Sequence, residues 1–339
     1  MISHRLSTAI WEITLKCNLK CLHCGSSAGE ARNAELTTKE AITLCKDLAE
    51  LDCENVCLMG GEPFLRKDWF EISKEIKDLN MEVSFVSNGT TINTETVRKL
   101  AKTEPIVVGI SIDGTEQIHD SIRGLPGSYK KAIDSLNLLK SMGIQATVIT
   151  TVGKTNFKEL PKIRELLLGK DAGWQIQVGV PMGRFRQKHV ISEKEFYALG
   201  LFVTNCRATS TFDSIPVVGA HCLGYYSRFL TSGSWDGCTA GITSLGIASN
   251  GDVMGCLSLR DKQFVEGNVK EIDVKEIWND KNRFCYTRRF EAKQLGTNCE
   301  RCKFGRACKG GCGSMSYYLS GSLHNDPYCF RRIENASNL

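Results

Sequence analysis

An open, partial (β/α)6 TIM-like barrel of the α/β class, continued by a small cysteine-rich α+β domain, is the fold this 339-residue sequence predicts. Three observations carry the prediction. Strand-like and helix-like stretches alternate six times before residue 206, the pattern of a parallel sheet with right-handed crossovers. The short motifs that bear chemistry fall where those strands end, the face on which such barrels build their sites. The sixteen cysteines are unevenly placed, with six in the first 57 residues, one at Cys206 and nine from Cys222 onward. A closed eight-unit barrel needs about 250 residues, and the alternation stops short of that.

The alternating residues 9–15 predict the first strand, and Cys17-x3-Cys21-x2-Cys24 follows it directly. Thr37-x-x-Glu40 is a capping box opening a helix with Ala41, Leu44, Cys45, Leu48 and Leu51 on one stripe. A strand at 55–59 runs into Gly60-Gly61-Glu62-Pro63. A helix near 69–79, a strand at 82–87 ending in Ser87-Asn88-Gly89, and a helix at 94–101 follow. Pro105 precedes a strand at 106–112 that delivers Ser111 and Asp113. A loop with Arg123 and Gly127 then leads to a helix at 129–142. Residues 144–151 read as strand, 157–168 as helix, 174–180 as a strand closed by Pro181-Met182-Gly183, and 192–206 as helix. From Gly219 onward glycines, cysteines and hairpin signals dominate. The expected division is a barrel at 1–206, a bridging region at 207–237 and the second domain at 238–339.

Three cysteines within eight residues can hold three irons of a cubane cluster and leave the fourth iron without a protein ligand. The spacing alone also suits a zinc loop. The C-terminal part carries Cys238-x12-Gly251-x4-Cys256, then Cys299-x2-Cys302-x5-Cys308-x3-Cys312, then Cys329. Asn250-Gly251 is a type I′ hairpin signal that would return Cys256 toward Cys238. Gly310, Gly311 and Gly313 permit the left-handed backbone needed to wrap an inorganic core. Metal binding would also supply folding energy to a segment with little apolar periodicity. Taken alone, Cys299-x2-Cys302 equally suits a zinc ribbon. Cys45, Cys57 and Cys206 lie in apolar patterns and read as small buried hydrophobes. Cys53 and Cys285 stay undecided.

Cys17, Cys21 and Cys24 together with Gly60 to Pro63 resemble the radical S-adenosylmethionine (SAM) enzymes. The C-terminal seven-cysteine pattern resembles the SPASM extension found on a branch of them, in particular on peptide-modifying maturases. The resemblance implies three 4Fe-4S clusters and bound SAM. Cys17, Cys21 and Cys24 would hold the SAM cluster. Cys299, Cys302, Cys308 and Cys329 would hold an outer auxiliary cluster, and Cys238, Cys256 and Cys312 an inner one, with Cys222 a candidate fourth ligand. By the same resemblance Gly60, Gly61, Glu62 and Pro63 meet the methionine amine, and Ser87 and Asn88 end the neighbouring strand on the same face. Ser111 or Asp113 would reach the ribose, Arg123 the SAM carboxylate, and Met182 and Gly183 the adenine. His23 occupies a position where relatives often carry an aromatic. Asp113-Gly114 also reads as a plain turn, Arg123 as a surface cation and Met182 as core packing.

The resemblance implies one-electron cleavage of SAM to a 5′-deoxyadenosyl radical that removes hydrogen from a substrate carbon. A flavodoxin- or ferredoxin-type donor would supply the electron. Leu257-Ser258 stand where sulfatase maturases carry an aspartate, which argues against that activity. The cluster motif begins at Cys17, so a peptide substrate is expected to be captured by the barrel mouth or by a separate recognition protein. The leading expectation is a peptide or small-protein substrate that is crosslinked, epimerised or oxidised. A sugar or tetrapyrrole substrate is the alternative within the same chemistry, and a non-catalytic zinc-stabilised binding protein the alternative outside it.

The formal charge of +5 comes from dispersed cations, which argues against nucleic-acid binding. No stretch approaches the roughly 18 uninterrupted apolar residues of a membrane span. The N-terminus lacks signal-peptide character. The expected setting is therefore a reducing cytoplasm, where clustered cysteines bind metal in preference to forming disulfides.

Overall fold

The computed structural model describes residues 4–337 except 214, 221, 222, 224, 225 and 228–235, and the backbone alone of 210–213. Cys222 therefore lies outside the described residues. Six strands, β1 (Thr8–Thr14), β2 (Asn55–Gly60), β3 (Glu82–Ser87), β4 (Val107–Ser111), β5 (Ala146–Val152) and β6 (Ala172–Val178), stand side by side in chain order. Each is parallel to the next. Helices α1 (Thr38–Glu50), α2 (Trp69–Asp78), α3 (Thr94–Thr103), α4 (Glu116–Arg123), α5 (Ser128–Ser141), α6 (Leu160–Leu167) and α7 (Glu193–Asp213) alternate with them.

The capping box that starts α1 is formed: Thr37 accepts from the Glu40 amide, and the Glu40 carboxylate accepts from the Thr37 amide at 2.7 Å. Its apolar stripe then meets the sheet. Trp11, Ile13, Val56, Leu58, Val83 and Phe85 pack with Leu44, Leu48, Ile72, Ile76, Val97 and Leu100 in one core. Full burial of each such side chain is worth about 1.5–3 kcal/mol. Ile10, on the opposite face of β1 from Trp11, packs instead with Met59, Ala248, Met254 and Leu257.

The expected open barrel is present, and its sheet is larger than six strands. β7 (Val217–Gly219) adds beyond β6, and β8 (Ser244–Ile247) pairs in parallel with the free edge of β1. β9 (Asp252–Met254) and β10 (Gly267–Asn268) continue outward, giving the order β10-β9-β8-β1-β2-β3-β4-β5-β6-β7 without closure. The cysteine-rich part thus covers an edge of the barrel that would otherwise offer unpaired backbone groups.

Three local expectations are corrected. The region around Arg123 is the helix α4, not a loop; its sequence is largely polar, but Ile118 and Ile122 lie one turn apart and Gly124 ends it in a left-handed cap. The last barrel helix, α7, continues past residue 206 to Asp213. The Asn250-Gly251 hairpin is not of type I′: only Gly251 has positive φ, and Gly251 donates to the Ala248 carbonyl while Ala248 donates to that of Asp252. That is a type I turn followed by a glycine bulge, the commonest three-residue hairpin loop.

The remaining helices are short: α8 (Val274–Asn279), α9 (Cys285–Arg288), α10 (Gly305–Cys308), α11 (Gly313–Ser320) and α12 (Phe330–Ala336). α12 returns to the barrel, where Phe330 stacks on Phe196 of α7 with ring centroids 4.6 Å apart. No helix among the described residues is long and apolar enough to cross a membrane.

Candidate active site

The loop after β1 carries Cys17, Cys21 and Cys24 and is closed at its base by a short parallel bridge between Lys16 and Gly29. Cys17 donates to the Gly29 carbonyl at 2.7 Å, and Gly29 to that of Leu15 at 3.1 Å. The three thiols are free and near one another: burial first, then Glu62, Cys21 and Cys24, push the Cys17 thiol up to about 11. Burial also raises Cys21, and the neighbouring Arg123 guanidinium opposes it. Buried thiols held together in this way favour deprotonation only when a metal takes the thiolates.

The Gly-Gly-Glu-Pro loop after β2 lies directly against this base. Gly61 donates to the Thr14 carbonyl and Glu62 to that of Lys16, both at 2.8 Å. The approach leaves no room for side chains. A Cβ at Gly60 would stand 2.2 Å from the Thr14 carbonyl oxygen, and one at Gly61 2.2 Å from that of Lys16. The Glu62 side chain turns to the end of β3, where it accepts from Ser87 Oγ and the Asn88 amide at 2.8 Å and from Thr91 Oγ1 at 3.1 Å. Burial raises its pKa and these donors oppose the rise. Asn88 Nδ2 in turn reaches toward Cys17 Sγ at 3.8 Å and bonds Asn18 Oδ1 at 3.0 Å.

Across the loop, Asp113 is fully buried at the end of β4. Its Oδ2 lies 2.6 Å from Arg123 Nη2 and 2.8 Å from His23 Nε2, and Oδ1 accepts from the Thr151 amide at 3.1 Å. Burial works against its charge, yet Arg123 and His23 hold its pKa well below the usual carboxylate range. Arg123 Nη1 stands 3.9 Å from Cys21 Sγ, and Arg123 Nε is buried without a hydrogen-bond partner. Ser111, the last residue of β4, is buried beside this network. A small open cleft lies next to it, lined by Leu22, His23, Ile122, Thr151, Gly153 and Phe185 among others.

Met182 and Gly183, from the end of β6, press on the back of the cysteine loop. Met182 Cε occupies the space a Cβ on Gly25 would need, at 2.1 Å, and Gly183, with φ +59°, lies against the Cys24 and Gly25 carbonyls. The next residue, Arg184, was not singled out in the sequence. Its amide and Nε donate to the carbonyls of Cys24 and Cys21 at 3.0 and 2.9 Å, and Nη1 to that of Ala28 at 2.8 Å. Its position directly after Met182-Gly183 was the available signal. His119 was also missed; its Nδ1 accepts from the Asp113 amide at 3.2 Å.

In the C-terminal part, Cys299, Cys302, Cys308 and Cys329 gather in one place. Burial and then the neighbouring thiols push Cys299 and Cys308 up to about 12. Burial pushes Cys329 up to about 11, with Cys302 adding to the rise. A second group forms nearer the barrel: burial and then Cys238 raise Cys256, and a Cβ on Gly313, next to Cys312, would lie 3.8 Å from Cys238 Sγ. Among the described residues no three His, Cys, Asp or Glu side chains converge on a single ion. Thiolates that each bind a different iron of a cubane need no such convergence, and soft sulfur donors in this number fit iron–sulfur clusters.

Residues 11–167 match the radical SAM superfamily, and residues 238–303 match SPASM, an iron-sulfur cluster-binding domain. The chain is 28% identical over 345 residues to the AdoMet-dependent heme synthase of Methanosarcina barkeri, covering 95% of each chain. It is 29% identical over 328 residues to the mycofactocin maturase MftC of Mycolicibacterium smegmatis, covering 94% of this chain and 81% of that one. The crystal structure of Streptococcus suis SuiB bound to precursor peptide SuiA superposes with a TM-score of 0.80 at 19% identity, covering 96% of this chain and 76% of SuiB.

Proposed function

Since this chain belongs to the radical SAM superfamily and carries a SPASM domain, we propose that it is a three-cluster enzyme that activates a C–H bond of a peptide or small protein. The proposed division is a barrel at 1–206, a bridge at 207–237 and the SPASM part at 238–339. Cys17, Cys21 and Cys24 hold the SAM cluster, Cys299, Cys302, Cys308 and Cys329 the outer auxiliary cluster, and Cys238, Cys256 and Cys312 the inner one, with Cys222 as the candidate fourth ligand. When bound, the first cluster and SAM would supply one-electron radical chemistry able to remove hydrogen from a substrate carbon.

The protein's own groups position and shield. Gly60, Gly61, Glu62 and Pro63 form the shelf for the methionine amine, with Glu62 oriented by Ser87, Asn88 and Thr91. Arg123, whose Nε is unpartnered, is proposed for the SAM carboxylate, with Asp113 fixing it. Ser111 or Asp113 is proposed for the ribose. His23 and the Met182-Gly183 turn border the adenine side, and the turn also keeps the cysteine loop in shape. A flavodoxin- or ferredoxin-type protein is the proposed electron donor.

The observation that favours a peptide is the likeness to MftC, a maturase, over 94% of this chain. A tetrapyrrole is the second reading, favoured by the match to a heme synthase over 95% of both chains. The test is mass spectrometry of a small peptide encoded beside this gene after co-expression, with an iron-porphyrin assay in parallel. Peptide mass loss or solvent deuterium uptake supports the first reading; porphyrin conversion with an unchanged peptide replaces it with the second. In either assay, alanine at Cys17, Cys21 and Cys24 should abolish 5′-deoxyadenosine formation.

A further inference from the structure

Between the cysteine loop and the Cys256 segment lies a group of charges that the proposed function does not use. Glu12, in the middle of β1, has no exposed surface. Its Oε1 lies 2.7 Å from Arg32 Nη2 and its Oε2 3.0 Å from Arg260 Nη2, and Ser249 Oγ approaches Oε1 at 3.5 Å. Arg260 Nη2 also donates to Ser26 Oγ at 2.6 Å. Ser26 follows Cys24 by two residues, and Arg260 follows Cys256 by four. One guanidinium therefore bridges the loop of the first cluster, a barrel strand and the segment of the inner cysteines.

The charges do not cancel within the group. One carboxylate faces two guanidiniums; the next carboxylate, Glu35, accepts from the Leu15 and Arg32 amides and the Thr14 hydroxyl and from neither guanidinium. Arg260 uses only one of its three side-chain nitrogens. Nε is buried without a partner and is closed to a ligand, whereas Nη1 makes no hydrogen bond among the described residues and is not buried. The side chain keeps 20% of its surface open. A guanidinium fixed at Nη2 with Nη1 left open is preorganised for a carboxylate, which it meets through a charge-assisted hydrogen bond.

We propose that Arg260 receives a carboxylate of the substrate, with Glu12 as the residue that holds it in position. The proposal rests on the substrate classes named above, since a peptide offers an acidic side chain and a tetrapyrrole offers propionates. The carboxylate is the chemistry they share, and it would be held between the first cluster's loop and the inner cysteines.

The test uses the anaerobically reconstituted full chain with SAM. One arm titrates a fluorescein-labelled peptide amide, a single glutamate within a short run of glycines, against its glutamine counterpart. The other titrates coproporphyrin III against its tetramethyl ester. In at least one arm the acid should bind about tenfold more tightly than the neutral form, the ratio should fall to about one in Arg260→Gln, and Arg260→Lys should restore part of it. A preference that survives Arg260→Gln overturns the proposal, as does its absence from the parent in both arms, including absence of measurable binding. Equal weakening of acid and neutral forms by Arg260→Gln assigns the residue to a strut and also overturns it. If the acid preference runs through Arg260 but neither substrate class is converted, the substrate reading falls and the carboxylate site stands.

Discussion

At the scale of single residues, the cysteine loop is shaped mainly by groups that never touch a metal. Gly183 is the sharpest case, because its φ of +59° and a Cβ only 2.4 Å from the Gly25 carbonyl oxygen both exclude a side chain. Gly183→Ala should cost roughly 2–4 kcal/mol and lower iron loading of the first cluster, read by anaerobic reconstitution and thermal denaturation. His119 makes a pH-dependent contribution. Burial first and then Arg123 push its pKa down from 6.5 to about 4, and its Nδ1 accepts a hydrogen bond that only the neutral ring can take. The unfolded chain therefore binds a proton that the native state refuses. The stability involved, about 3 kcal/mol at most, is present above pH 6.5 and is lost as pH falls toward 4. In anaerobic denaturation between those values, His119→Gln should remove that part of the acid sensitivity; an unchanged pH profile would contradict the assignment.

At the scale of elements, the strand β8 matters most, since it sits between β1 and β9 and so has both edges paired. A proline there removes a donor and cannot be accommodated as it would be at an edge. Leu245→Pro should cost about 3 kcal/mol or more and raise hydrogen exchange at Thr8 to Trp11, the β1 residues it faces. If exchange at β1 stays slow, the C-terminal part does not stabilise the barrel edge. α4 shows the complementary lesson. It supplies Arg123 and His119 to the site, but its sequence is mostly polar, and of its two apolar residues, Ile118 and Ile122, only Ile122 is buried. A short helix with two apolar positions is hard to tell from a polar loop by periodicity alone.

At the scale of the whole molecule, three 4Fe-4S clusters require about twelve irons per chain. Replacing Cys299 and Cys302 together should leave about eight, measured as iron and sulfide after reconstitution, with SAM cleavage by the first cluster retained. A parent that carries about four irons would remove the auxiliary clusters from the proposal. The continuous sheet from β10 to β7 and the stacking of Phe330 on Phe196 tie the two cysteine regions into one body. Loss of the outer cluster should then also lower the melting temperature of the barrel.

What the sequence determined alone was local and periodic: the six strand–helix units, the capping box of α1, and the cysteine spacings with their Gly-Gly-Glu-Pro companion. These are visible because helix and strand periods and ligand spacing are properties of short stretches of chain. Glu12 is a charge inside an apolar strand, and nothing nearby in the chain announces its partners. Tertiary structure decided that Arg32 and Arg260 share it, that Arg184 clamps the cysteine loop, that Asp113 joins His23 to Arg123, and that β8 completes the edge of β1. Each of these joins residues far apart in the chain, and such pairings are set by how whole elements pack, which no local pattern encodes.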